Sequence, residues 1–115
     1  MIIFLANNKI FCILFGTMNK ILFAWIGRTD IKASQGTTDV GLGPIGQAVS
    51  GRVFSHLVLI SNYTKEEENT FVNWIKPKSP ATVLKYHVGL TSPTDFNEIY
   101  TAATNTINNV KKKLS

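Results

Sequence analysis

Three short polar phrases hold most of the side chains that could handle a ligand: Trp25-Ile26-Gly27-Arg28-Thr29-Asp30, Ser61-Asn62-Tyr63 and Thr91-Ser92-Pro93-Thr94-Asp95. Each follows an apolar run, so each falls where a strand is expected to end. In the first, Gly27 permits a tight turn, and Thr29 and Asp30 can satisfy local backbone groups. Equally, Arg28 and Thr29 can face a phosphate or a base in a cleft. In the third, a cap serine, a proline at the first helical position and an acid at the third read as a helix start. Capping accounts for Ser92 and Asp95, and chemistry alone gives them no catalytic role.

Gly41-Leu42-Gly43-Pro44-Ile45-Gly46 satisfies G-x-G-x-x-G literally. A dinucleotide fold needs those glycines directly after the first strand and an acid at the end of the second. Here a polar stretch separates strand from glycines, and Ser61-Asn62-Tyr63 supplies no acid, which argues against NAD or FAD. What remains is a helix beginning near Pro44 whose free backbone N–H groups could hold a phosphate. Cys12 stands alone, which excludes a disulfide framework and a cysteine metal cluster. His56 and His87 read as ordinary sheet residues. The sequence shows no P-loop lysine motif, nucleophile elbow or triad. No catalytic residue, metal site or cofactor is therefore assigned.

The elements that would position these phrases alternate. Ile21 to Ile26, Leu57 to Ile60 with Phe54-Ser55-His56 before it, and Thr82 to Val88 are apolar runs, the last interrupted by Lys85 and His87. Continuous rather than alternating apolarity suggests strands covered on both faces, as in parallel sheets. A polar loop is expected after the first strand. A short helix follows from near Pro44 to Gly51. A second begins at Thr64, with Glu67 as capping partner, buries Phe71, Val72 and Ile75, and ends before Pro77. Trp74 reads as a core residue. The last helix carries Phe96, Ile99, Tyr100, Ala103, Ile107, Val110 and Leu114 at spacings of three and four, an apolar face for the sheet. The expected fold is α/β, Rossmann-like and three-layered (αβα), with a short, mostly parallel, truncated sheet. Ligands of such sheets bind outside the carboxyl ends of the strands.

The chain has 115 residues, 44% hydrophobic and 17% charged, with a net charge of +5. That fits one domain at most, residues 20–115, with residues 1–19 as an apolar extension. Lys111-Lys112-Lys113 suits a helix end and reads first as solvated, second as a phosphate-attracting tail. Asn7, Asn8 and Lys9 split the apolar start, which fits neither a secretory signal nor a membrane span. Met18-Asn19-Lys20 looks like an ordinary protein start, so residues 1–16 read first as an over-extended start, second as an added strand or helix, and last as a membrane attachment. A three-stranded sheet leaves an unpaired edge. Such a chain is expected to dimerise, aggregate or recruit its own N-terminal run.

Together, WIGRTDIKAS, GLGPIGQAV, LVLISNY and LTSPTDFNEIYTAA resemble the N-terminal half of a CARF domain. They look closest to the sensor domain of RtcR-type sigma-54 transcriptional regulators and related CRISPR-associated proteins of antiviral defence. The resemblance spans about Lys20 to Val110. It implies a cytoplasmic, dimeric, nucleotide-binding domain that senses a cyclic oligoadenylate or related RNA-end ligand and regulates an effector or ATPase/DNA-binding module. By position, Gly27, Arg28, Thr29 and Asp30 would line the cleft, with Asn62 and Ser92 approaching from neighbouring strand ends. The family continues into further strands and a phosphate-cradling serine/threonine-glycine loop that this sequence does not show. A ring nuclease for the same messenger, an ordinary dinucleotide-binding domain and a truncated remnant are the alternatives.

Overall fold

The computed structural model describes residues 2–4, 10–15, 19–36, 41–50, 52–89 and 96–114. Five strands form one sheet in chain order: β1 (Ile2–Phe4), β2 (Ile10–Phe15), β3 (Asn19–Trp25), β4 (His56–Ser61) and β5 (Thr82–His87). The helices are α1 (Arg28–Ser34), α2 (Gly43–Ser50), α3 (Lys65–Ile75) and α4 (Phe96–Leu114). The α/β expectation holds: β3, β4 and β5 are parallel, with Trp25 opposite Ile60 and Ser61 opposite His87. Helical segments connect them, as parallel pairing requires. No helix among the described residues is long and apolar enough to cross a membrane.

Beyond the three parallel strands, β1 and β2 extend the sheet antiparallel, the added-strand outcome for the N-terminal run; Ile10 lies opposite Ala24 and Phe15 opposite Asn19. The apolar start thus covers the edge of β3, with Ile10 and Cys12 buried. An apolar strand with an open neighbour gains both ladder hydrogen bonds and burial by pairing there. Burial also pushes the Cys12 thiol above its ordinary value, with Lys20, Arg52 and the N-terminus opposing. One expectation needs correction: the segment after β3 is a helix directly and not a polar loop. Gly27 is its extended N-cap, and Asp30 at the third helical position supplies the side chain that closes the turn.

The two faces of the sheet are covered unequally. Leu22 and Ala24 of β3 and Leu57 and Leu59 of β4 pack under Ile31, Ile45, Val49, Phe71 and Ile75 from α1, α2 and α3. Ile21, Phe23 and Val58 point the other way, onto Val110 of α4, with Leu84, Tyr86 and Ile107 around them. So the helices after β3 and β4 lie on one face, and the helix after β5 lies on the other. In open α/β sheets the ligand crevice forms where that direction reverses. Here it reverses between β4 and β5.

Local signals explain α3 and its end. The Thr64 hydroxyl accepts the Glu67 N–H at 3.2 Å, and Glu67 reaches back to the Thr64 hydroxyl at 3.0 Å. Phe71 and Ile75 are buried and Val72 is half-buried, as their spacing predicts. A 3-10 turn over Lys76–Lys78, containing Pro77, ends the helix. Trp74 packs against the core and carries Lys78 over its ring at 4.5 Å. The expected cap at Ser92-Pro93-Thr94-Asp95 lies outside the described residues. Further along α4, Val110 is buried, Ala103 and Ile107 are half-buried, and Lys111, Lys112 and Lys113 are exposed at its end.

Candidate functional site

The first strand end is organised by Asp30. Its carboxylate is 2% exposed and accepts the N–H of Gly27 at 2.9 Å and of Ile45 at 3.0 Å. One side chain thereby caps α1 and ties it to the start of α2. Burial pushes its carboxyl above the ordinary range, while the two N–H groups pull the other way. The glycine phrase serves the same joint. Gly43 has φ +72°, and a Cβ there would sit 3.1 Å from Asp30 Oδ1. At Gly46 a Cβ would meet Trp74 at 3.1 Å. The expectation that the α2 N-terminus could hold a phosphate is therefore corrected. That end already holds the chain's own carboxylate, which would repel a second anion.

A paired substitution separates conformational strain from crowding. Gly36 also has positive φ, +83°, but a Cβ there meets nothing within 4 Å. Gly36→Ala is expected to cost about 1–2 kcal/mol from the left-handed backbone alone. Gly43→Ala should cost more, because the methyl group also displaces Asp30. Urea unfolding of both variants measures the difference, and equal losses would mean the Asp30 joint is slack.

Of the residues predicted from sequence, Gly27 and Asn62 are half-buried and Arg28 and Thr29 exposed at the carboxyl ends of β3 and β4. Asp30 is beside them but turned inward, so it positions Gly27 and Arg28 from below. Ser92 lies outside the described residues. The Arg28 guanidinium stands 6.0 Å from the centre of the Tyr63 ring. Burial raises the Tyr63 phenol above its ordinary value despite the opposing charge of Arg28. The Tyr63 N–H donates to the Ser61 hydroxyl at 3.0 Å.

Ser61 leads to a cluster that the sequence reading missed. Glu68 of α3 is 1% exposed. Its carboxylate meets Lys85 Nζ at 3.3 Å and His87 Nδ1 at 2.5 Å, and it is also hydrogen-bonded by Ser61. Burial alone would raise the Glu68 carboxyl. The hydrogen bonds from His87, Ser61 and Lys85, with the charge of His87, outweigh it and hold the group below its ordinary value. His87 is thus not an ordinary sheet residue but half of an acid–imidazole pair. Two signals could have revealed it. Glu68 stands at i, i+3 and i+7 with Phe71 and Ile75, which places an acid in a buried stripe. Lys85 and His87 are two apart on a strand and so share a face.

The arrangement is continuous: Arg28 over Tyr63, Tyr63 onto Ser61, Ser61 onto Glu68, and Glu68 onto Lys85 and His87. It crosses all three parallel strand ends and includes the β4–β5 reversal. On the other side of β5 an open groove of about 570 Å³ runs along α4, lined by Tyr86, Val88, Thr101, Asn105 and Asn109 among others. No group of three or more metal-ligating side chains occurs among the described residues. Comparison with known proteins finds no matching family model, no matching curated protein and no matching solved structure.

Proposed function

We propose that this chain is a ligand-binding module of the Rossmann-like α/β kind, with its site along the carboxyl ends of β3, β4 and β5. The ligand is a nucleotide-type anion. The likeness to CARF sensor domains points to a cyclic oligoadenylate, bound between two copies and signalling to a regulator or effector. One observation carries the reading: an exposed arginine lies against a half-buried tyrosine where two adjacent parallel strands end. A guanidinium can grip phosphate oxygens, and an aromatic ring offers a face on which a base can stack. The net charge of +5 favours an anionic partner in the same sense.

Isothermal titration with cyclic tetra- and hexa-adenylate tests this directly. Binding is expected with at least one, weakened about 10- to 100-fold by Arg28→Ala, the equivalent of one charged hydrogen-bonding group. Absence of heat with both ligands would overturn the cyclic oligoadenylate assignment. Unchanged affinity in Arg28→Ala would move the site away from the β3 end.

A further inference from the structure

We propose that the outer edge of β5 is a docking site for an extended, acidic peptide segment of a partner protein, which adds as an antiparallel sixth strand and sets its acidic carboxyl end against Lys112 and Lys113. The site lies along the side of β5 rather than beyond the strand ends, and the inference does not rest on the nucleotide reading.

The edge is open and regular. β5 closes the sheet order, so its second row of backbone N–H and C=O groups meets no strand among the described residues. All six residues, Thr82–His87, pair with β4 in unbroken register, and none is a proline. Bulges and prolines are common ways of blunting an edge, and β5 has neither. Lys85, a charge that could guard the edge, is drawn to Glu68 under α3. Burial is unfinished as well. Leu57 to Ser61 of β4 are all buried, whereas Val83, Leu84 and Tyr86 of β5 are half-buried. A strand laid alongside completes both the hydrogen bonding and the burial.

The last helix selects what that strand carries. Glu98, Thr101, Asn105, Asn109 and Lys112 recur at spacings of three and four, so one polar stripe of α4 borders β5. Tyr86 and Asn109 line both the groove of about 570 Å³ and a second opening of about 410 Å³ that ends on exposed Lys112 and Lys113. Glu98 lies at the other end, with Val88 and Gly89. From Glu98 to Lys112 the helix rises about 21 Å, and a six-residue strand spans about 20 Å. The helix runs back from the carboxyl end of β5 toward the amino half of the sheet, where Val110 packs with Ile21. An antiparallel strand therefore starts beside Glu98 with its ammonium end and finishes beside the two lysines with its carboxyl end. Acids at that end match the lysines in charge. β5 itself carries Lys85 and His87 and no acid, so a second copy of this chain is a poor match for the edge.

The test titrates the full chain, without nucleotide, with the synthetic peptide Thr-Val-Thr-Val-Glu-Glu. Calorimetry reads affinity, and the β5 amides that do not pair with β4 should gain protection from hydrogen exchange. The same peptide ending in Lys-Lys should bind about 5- to 20-fold more weakly, as two exposed ion pairs allow. In a chain carrying both Lys112→Glu and Lys113→Glu that order should reverse; both positions are exposed, so the fold is not at stake. Of two acidic peptides N-methylated at alternate residues, one should lose binding and the other keep it, because a strand offers every second N–H to its neighbour. No binding of the acidic peptide, equal affinity for the acidic and basic peptides, or equal binding of the two methylated ones would each overturn the proposal. A free chain already dimeric, with those β5 amides protected before peptide is added, would give the edge to a second copy and overturn it as well.

Discussion

Asp30→Ala is expected to lower stability by about 2–4 kcal/mol, because it strands the N–H groups of Gly27 and Ile45 where water reaches them poorly. At roughly 4–5 °C per kcal/mol for a domain near this size, the melting temperature should fall by about 10–20 °C. The loss exceeds that of an ordinary N-cap because one carboxylate serves two helices. Asn in its place keeps one acceptor but turns an amide N–H₂ toward a backbone N–H, so Asp30→Asn should lose about half as much. Thermal unfolding followed by circular dichroism measures both. A loss under about 1 kcal/mol in the alanine variant would mean that α1 and α2 are held by packing alone.

The pH dependence of that joint has a definite sign. Folding raises the Asp30 carboxyl above its unfolded value, so the folded state binds the proton more tightly. The contribution from this shift is therefore complete below about pH 3.9, the ordinary unfolded value, and is lost as pH rises through the folded one. Burial opposes the charged form of Asp30, and the hydrogen bonds from the Ile45 and Gly27 N–H groups work against that effect.

How much of this could be read from the sequence depends on how local each cause is. The α3 cap was legible because Thr64 and Glu67 are three residues apart and the cause lies within one turn. The three parallel strands were legible because β3 and β4 are apolar on both faces, and only a covered sheet produces that. The β2 pairing was not fixed, since a split apolar run does not say which edge it will cover. Asp30 was left open between turn and cleft for a related reason. Its second partner, Ile45, is fifteen residues away, so turn chemistry and ligand chemistry look alike from Gly27 to Asp30. The glycine phrase misled in the opposite way. Its glycines are needed where Gly43 meets Asp30 and Gly46 meets Trp74, contacts that no G-x-G-x-x-G spacing encodes.

Glu68 shows the same limit at the candidate site. Its partners come from two strands and lie seven to nineteen residues away along the chain. Each residue has an ordinary reading when taken singly: a helix acid, a strand lysine, a strand histidine and a serine at a strand end. Only the parallel register, with Ser61 opposite His87, brings them under α3. A site built across a topological switch is invisible to a motif search for that reason. Its members belong to different elements, and no spacing constrains them.

Removal of the Glu68 carboxylate should therefore be costly even though it eliminates a buried charge. Glu68→Ala is expected to lose about 2–4 kcal/mol: the Ser61 hydroxyl is left buried without its acceptor and a cavity opens beneath α3. Lys85, with its side chain 26% exposed, can turn to water and so adds little to that loss. Glu68→Gln keeps the volume and one carbonyl acceptor and should lose about 1–2 kcal/mol. The sign of the pH effect is opposite to that of Asp30. Folding lowers the Glu68 carboxyl, so its contribution is present above the unfolded value of about 4.3 and is lost as pH falls through the folded one. Urea unfolding at a series of pH values should then show wild type losing stability on the acid side of that window, and Glu68→Gln losing less over the same range. Parallel curves for the two proteins would show that the carboxylate of Glu68 is as free in the folded chain as in the unfolded one, and the cluster would cease to be a fixed acid holding an imidazole in place.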